Sequence, residues 1–186
     1  LLGLATICAA GIGASLPFGP AGVTTEGDKR LGTAAKAIEG RLALETRRVL
    51  RAGGPLAFAT WAPANRNPWA TAYGPVLIER GLQEPPKPGE PGQFTLATEE
   101  EIASLVRSAG FDEVTVAEVP LEFRFPDWQE YVRVVTALGA SLRALLGTLD
   151  APTRAEVDEG ARARIERFRR DDGYALPGVA LVTGAR

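Results

Sequence analysis

At 186 residues the chain is long enough for one domain with a real core, and 45% hydrophobic with 24% charged residues is the composition of a folded globular protein. A net charge of −2 leaves no electrostatic footprint for DNA or RNA, and a single cysteine, Cys8, excludes an internal disulfide. The absence of histidine removes the commonest general base, the Ser-His-Asp triad and most zinc sites.

In chain order, Leu1–Val23 carries no charge. It lacks the basic start of a signal peptide, and its five glycines and two prolines make a poor membrane helix, so a cytoplasmic protein without a membrane partner is expected. The chain holds no methionine and begins at Leu1, which reads as a fragment or a processed product. Leu4–Ala10 reads as a short strand before the glycine-rich turn Gly11-Ile12-Gly13. Thr33–Ala52 reads as a helix whose apolar face is Ala37, Ile38, Leu42, Leu44, Val49 and Leu50. Arg47, Arg48 and Arg51 occupy its last turns, where cations suit the negative end of the helix dipole, and Gly53 and Gly54 can take the positive φ that stops it. Pro55–Trp61 is then a short apolar run between turn residues, which marks a central strand rather than an edge.

Pro68–Gly81 reads as a helix with proline in its first turn. Gln83–Gln93, with four prolines and two glycines, is a loop. Thr98–Glu101 is a capping box opening a helix that runs to Ala109 and stops at Gly110. Glu113–Val119 alternates as a strand, and Leu121–Phe125 extends it. Asp127–Leu138 is helical with a box-like start at Asp127 and Glu130, Ala140–Leu149 is a short apolar helix, and Pro152–Arg170 is a longer charged one. Asp171-Asp172-Gly173-Tyr174 reads as a tight turn into a closing strand, Val179–Gly184. A β-α-β unit, a helical excursion and a last strand fit the second half of a doubly wound sheet.

One stretch is more specific. Arg48-Val49-Leu50-Arg51-Ala52-Gly53-Gly54 before a hydrophobic strand resembles the junction ahead of the fifth strand in class I S-adenosylmethionine-dependent methyltransferases. The family pattern there is basic, Val-Leu, basic, Pro-Gly-Gly, and Ala52 stands where the proline usually is. Asn65–Trp69 (NRNPW), the TEEE helix start, Ala109–Phe111 (AGF) and the tail from Asp171 resemble the small-molecule branch related to quinone-biosynthesis enzymes. The resemblance covers about Ala34 to Arg186. It implies an α/β fold in one domain, a partial Rossmann-like sheet of roughly three or four strands in which the last strand inserts antiparallel between the fifth and sixth. Residues 34–126 and 171–186 would form the core, 127–170 a helical cap, and 1–33 an atypical N-terminal segment.

The resemblance also implies S-adenosyl-L-methionine as cofactor and a small-molecule methyl acceptor as partner. Such enzymes hold the adenosine with a glycine-rich turn after the first strand and an acid after the second. The nearest match is Thr6–Gly13, where Gly11 and Gly13 agree and Ile7 stands near the place of an acid. Glu26 is the candidate for the ribose acid, or else a solvated turn residue. Only 42 residues separate Gly13 from Pro55, whereas the missing strands and helices need on the order of 80. The expected function is therefore methyl transfer to a small molecule, impaired by an incomplete cofactor half. The alternative is a non-catalytic methyltransferase-like remnant or interaction module that does not bind the cofactor.

Trp61, Asn65 and Trp69, with Asn67 among them, follow the strand end where a substrate loop belongs, and Tyr174 is near enough in pattern to join them. Equally, the tryptophans can plug the core and Tyr174 can belong to its turn. Phe123, Phe125, Trp128 and Tyr131 are spaced as core and cap-packing residues. Arg162, Arg164, Arg167, Arg169 and Arg170, mixed with Glu156, Asp158, Glu159 and Glu166, read as a solvated charged face. No residue is nominated as catalytic and none as a metal ligand. A fifth strand lacking neighbours on one side would leave an apolar edge, so a homodimer through a sheet edge is expected.

Overall fold

The computed structural model describes residues 5–8, 43–87 and 92–186. It is a mixed helix-and-strand fold built on one sheet. Strand β1 (Ala5–Cys8) pairs in parallel with β2 (Leu56–Trp61). On the other side of β2 lies β5 (Gly173–Ala185), antiparallel to it, with Leu56 opposite Ala185 and Trp61 opposite Ala180. Strand β3 (Thr115–Phe125) borders β5 in turn, so the order is β1-β2-β5-β3. A two-residue strand, β4 (Arg169–Arg170), folds back on the start of β5 as a tight hairpin.

The junction expected before β2 is present. Residues 43–49 are helical (α1), Gly53 takes φ +69°, and the Gly54 amide donates to the Arg51 carbonyl at 2.8 Å. Gly53 alone carries the positive φ. Strand β2 is interior in its pairing but only half-buried: Leu56 is buried and Ala59 exposed. On α1 the covered face centres on Thr46, while Leu44 and Val49, expected on the apolar side, are exposed.

The chain divides into two compact units. The first holds Leu1–Pro63, Pro86–Val119 and Ala180–Arg186, and so contains α1, β1, β2 and α4 (Glu99–Ser108) with one end each of β3 and β5. The capping box forms as expected: the Glu101 amide donates to Thr98 Oγ1 and the Thr98 amide returns to the Glu101 carboxylate, both at 3.3 Å. Ile102 and Val106 bury the inner face of α4, Gly110 ends it at φ +86°, and Phe111 is buried beneath the Arg47 guanidinium at 5.0 Å. Beyond this stop, Asp112 and Arg186 exchange main-chain hydrogen bonds in both directions.

The second unit holds Ala64–Pro85 and Pro120–Val179. Where one helix was expected over Pro68–Gly81 there are two, α2 (Pro68–Thr71) and α3 (Tyr73–Glu79). Pro75 has no N–H to give the Thr71 carbonyl, so the ladder breaks there. Helices α5 (Trp128–Leu138), α6 (Ala140–Thr148) and α7 (Ala151–Ile165) follow. Asp127 caps α5 by accepting from the Glu130 amide at 2.8 Å, but Glu130 turns to Arg133 instead of completing a box. Helix α7 ends at Ile165, not Arg170, because Glu166–Phe168 tighten into a 3-10 turn and the next two residues join the sheet as β4. α3 and α7 pack closely at Gly160, where a Cβ would meet Val76 Cγ1 at 2.9 Å, and Arg80–Glu156 and Arg164–Glu79 ion pairs tie their exposed sides.

Candidate functional site

The loop after β2 is the first place to look, and its buried polar groups, on Asn67 and Trp69, are already engaged. Asn65 sits exposed in a 3-10 turn, Ala64–Arg66. Asn67, fully buried, offers its side-chain amide to both main-chain groups of one residue. Its Nδ2 donates to the Val179 carbonyl at 3.3 Å and its Oδ1 accepts from the Val179 amide at 3.0 Å. A neighbouring strand would satisfy Val179 in the same way, so one side chain stands in for a rung of sheet. The Asn67 Oδ1 also accepts from Trp69 Nε1 at 3.2 Å. Trp69 is buried and stacks on Phe123, ring centroids 4.3 Å apart, over Gly178, where any Cβ would lie 2.8–2.9 Å from both rings. Trp61 is half-buried on β2, opposite Ala180.

Tyr174 is placed differently. It is 3% exposed and lies at the wall of an open cleft of about 710 Å³ within the second unit. The cleft is formed by the start of α5 (Pro126–Gln129), by Arg162 of α7 and by the hairpin Arg169–Tyr174. Gly173 makes the hairpin possible. Its φ is +129°, and a Cβ there would meet the Phe125 carbonyl oxygen at 2.1 Å and the Pro126 oxygen at 2.7 Å. Only glycine lets the turn press against that backbone.

The electrostatics of the cleft divide into closed and open groups. Tyr174 donates to Glu166 Oε2 at 3.1 Å and accepts from Arg169 Nη1 at 3.0 Å, while the Arg169 guanidinium rests 5.4 Å from the Tyr174 ring centre. Glu166 and Arg169 are an ion pair at 3.6 Å, and Arg162 joins the group through Tyr174. Asp172 faces Arg124 at 3.6 Å, and the Asp127 carboxylate is occupied by the Glu130 amide. Arg162 and Arg170 have no ion pair among the described residues; Arg170 donates only to the Arg169 carbonyl at 3.0 Å. Tyr174 and, more weakly, Glu166 hold Arg162 firmly protonated. Sequence reasoning assigned these arginines to a solvated face. It read the DDGY turn but kept Arg169 and Arg170 in the preceding helix, whereas they leave it and pair with Tyr174 and Gly173.

Behind the cleft the tyrosines are structural. Tyr73 donates to Asp158 Oδ1 at 2.7 Å, and Arg154 Nε holds the other carboxylate oxygen at 2.8 Å. Burial, then the Asp158 hydrogen bond, pushes the Tyr73 phenol far above its ordinary range. Tyr131 is fully buried, edge-on to Phe125 at 5.2 Å and stacked with Trp128 at 5.3 Å. Its hydroxyl makes no hydrogen bond of good geometry, and burial raises its ionisation well above normal, offset in small part by the Ala72 main chain. Neither phenol exchanges a proton near neutral pH.

Gly11, Gly13 and Glu26 lie outside the described residues. The expected glycine-rich turn follows the first strand, so that cofactor expectation falls on the same residues. Among the described residues no cluster of Cys, Asp and Glu could hold a metal ion, and no helix is long and apolar enough to cross a membrane. No family model matches the chain, and no curated protein matches it in sequence. A solved structure from Bacillus halodurans, provisionally described as a methyltransferase, is similar at 15% identity with a TM-score of 0.36. The match covers 79% of this chain and 57% of that one, so the chain spans little more than half of that protein's length. A likeness so loose does not define a function.

Proposed function

We propose that this chain forms the rear portion of a class I S-adenosylmethionine-dependent methyltransferase acting on a small molecule. The observation that supports the reading is the strand order. The closing strand, β5, runs antiparallel to β2 and lies between β2 and β3. The resemblance of the Arg48–Gly54 junction implies that placement for a last strand between a fifth and a sixth. The parallel β1 on the far side of β2 then takes the position of a preceding strand. On this reading the cofactor is held by residues ahead of β2, Gly11, Gly13 and Glu26 among the candidates. The protein's task is to align donor and acceptor and to exclude water, which needs no strong base on an activated acceptor. A homodimer through an edge of the sheet belongs to the same proposal.

Isothermal titration of the purified chain with S-adenosylmethionine and S-adenosylhomocysteine tests the reading. Micromolar binding of both supports it. No heat at millimolar concentration overturns cofactor use by this chain and leaves a methyltransferase-like module that acts without it.

A further inference from the structure

We propose that the outer edge of β3 docks a second copy of this chain, the two β3 strands pairing antiparallel about a twofold axis at Leu121. The proposal rests on the sheet-edge dimer of the proposed function, names the edge and its register, and does not depend on cofactor binding.

Strand β3 runs from Thr115 to Phe125 at a border of the sheet, with β5 as its one neighbour among the described residues. Ala117 to Glu122 are exposed without a break. The bare donors and acceptors of such an edge are a template for another strand. Which groups point outward follows from the pairing with β5. Thr115 lies against Gly184, and a Cβ on Gly178 would meet the Phe123 ring at 2.8 Å, so odd-numbered β3 residues share a face with even-numbered β5 residues. The Arg186 main chain bonds toward Asp112, on the β3 side, so by alternation the even-numbered β5 residues bond β3. The odd-numbered β3 residues answer them. The main chains of Val116, Glu118, Pro120, Glu122 and Arg124 therefore face outward. Pro120, which has no N–H, sits where β5 asks for none.

The side chains alternate with the same period. Ala117, Val119, Leu121 and Phe123 make one face apolar, while Glu118, Glu122 and Arg124 make the other charged. Val119 and Leu121 stay 37% and 38% exposed. Charge then chooses the register. With the axis at Leu121, Ala117–Phe125 overlap, each Glu118 stands opposite the partner's Arg124, and Val119 stands opposite the partner's Phe123. Leu121 meets its own copy in a non-hydrogen-bonded pair, where side chains approach closest. An axis at Pro120 sets Glu118 against the partner's Glu122, and one at Glu122 sets that residue against itself. An axis at Val119 joins no opposite charges, and one at Phe123 overlaps only Leu121–Phe125. Arg124 already touches Glu122 and Asp172, but these pairs are exposed and weak, and a guanidinium has donors enough for one more carboxylate.

Sedimentation equilibrium of the whole chain from about 1 to 500 µM tests the surface. One strand pair is small for an interface, so a reversible dimer with a Kd of about 10–100 µM is expected. As it forms, hydrogen exchange should slow at the Glu118, Glu122 and Arg124 amides. Leu121→Glu should weaken the dimer at least about tenfold. Glu118→Arg and Arg124→Glu should each weaken it at least about fivefold, and the chain carrying both should return to within about threefold of the parent. Net charge does not mimic this result: from −2, the first variant lowers the magnitude and the second raises it, so non-specific repulsion would tighten one and loosen the other. Arg143→Glu, on α6, should leave the dimer as it is. Circular dichroism confirms that each variant keeps its fold. A monomer at every concentration overturns the proposal together with the sheet-edge dimer. A dimer that ignores Leu121→Glu, protects none of those amides or is not restored by the double exchange overturns this edge alone. The methyltransferase reading stands or falls separately, on the cofactor titration.

Discussion

The loop Trp61–Trp69 and the hairpin Arg169–Tyr174 carry similar stocks of aromatic and polar side chains, and the fold uses them in opposite ways. In the loop, Asn67 and Trp69 are buried and their hydrogen-bonding groups are engaged with Val179 and with each other. In the hairpin, Tyr174 is engaged but Arg170 and Asp171, which line an open cleft, have no ion pair among the described residues. The types of residue present do not distinguish a site from a plug. The distinction lies in which groups retain donors, acceptors or charge that the fold has not satisfied.

Each region can be challenged where the contrast is sharpest. Gly173→Ala should be the most damaging change, at least about 3 kcal/mol by chemical denaturation, because the added Cβ meets backbone and the φ of +129° is strained for any other residue. A loss under about 1 kcal/mol would mean the hairpin yields and does not set the cleft. Asn67→Ala should cost about 2–4 kcal/mol, since it removes a buried side chain that holds the half-buried amide and carbonyl of Val179 and the Trp69 N–H together. A near-neutral result would show that the loop is not committed to structure.

Alkaline titration probes the interior beside the cleft. Tyr73 and Tyr131 ionise above the ordinary 10.0 in the folded chain, so above about pH 10 the unfolded chain loses protons the folded one keeps. Stability is then full below that pH and falls above it by about 1.4 kcal/mol per pH unit for each buried phenol. Tyr131→Phe should flatten the slope measured by denaturation at stepped pH and cost little at neutrality, because the hydroxyl it removes has no well-formed hydrogen bond. The smallest effect is expected of Arg170→Gln, within about 0.5 kcal/mol, since the fold draws little on that side chain. A larger loss would make Arg170 a structural residue and erase the contrast.

The junction into β2 and the start of α4 were legible because their signals are local, whereas the closing strand, read as Val179–Gly184, already begins at Gly173. Gly53 needs a positive φ, the apolar run at Leu56–Trp61 is bounded by turn residues, and Thr98 with Glu101 advertises a helix start. The errors fall where a distant partner overrides local pattern. Helix propensity continues past Ile165, but Arg169 and Arg170 gain more by pairing with Gly173 and Tyr174. The cleft was hidden for the same reason: charged residues at helical spacing look solvated until a hairpin turns them against a second wall. Asn67, a loop residue by type, shows its role only once Val179 is brought beside it from 112 positions away.

The rung formed by Asn67 is also protected against chemical ageing. Asparagine deamidates when the next residue's main-chain nitrogen attacks the side-chain amide, and Pro68 has no N–H with which to complete that ring closure. Asn65, exposed and followed by Arg66, has no such shield. Prolonged storage at mild alkaline pH should thus convert Asn65 to an acid and leave Asn67 intact. Old and fresh protein would then differ by a surface charge but not in the bond that binds the loop to Val179.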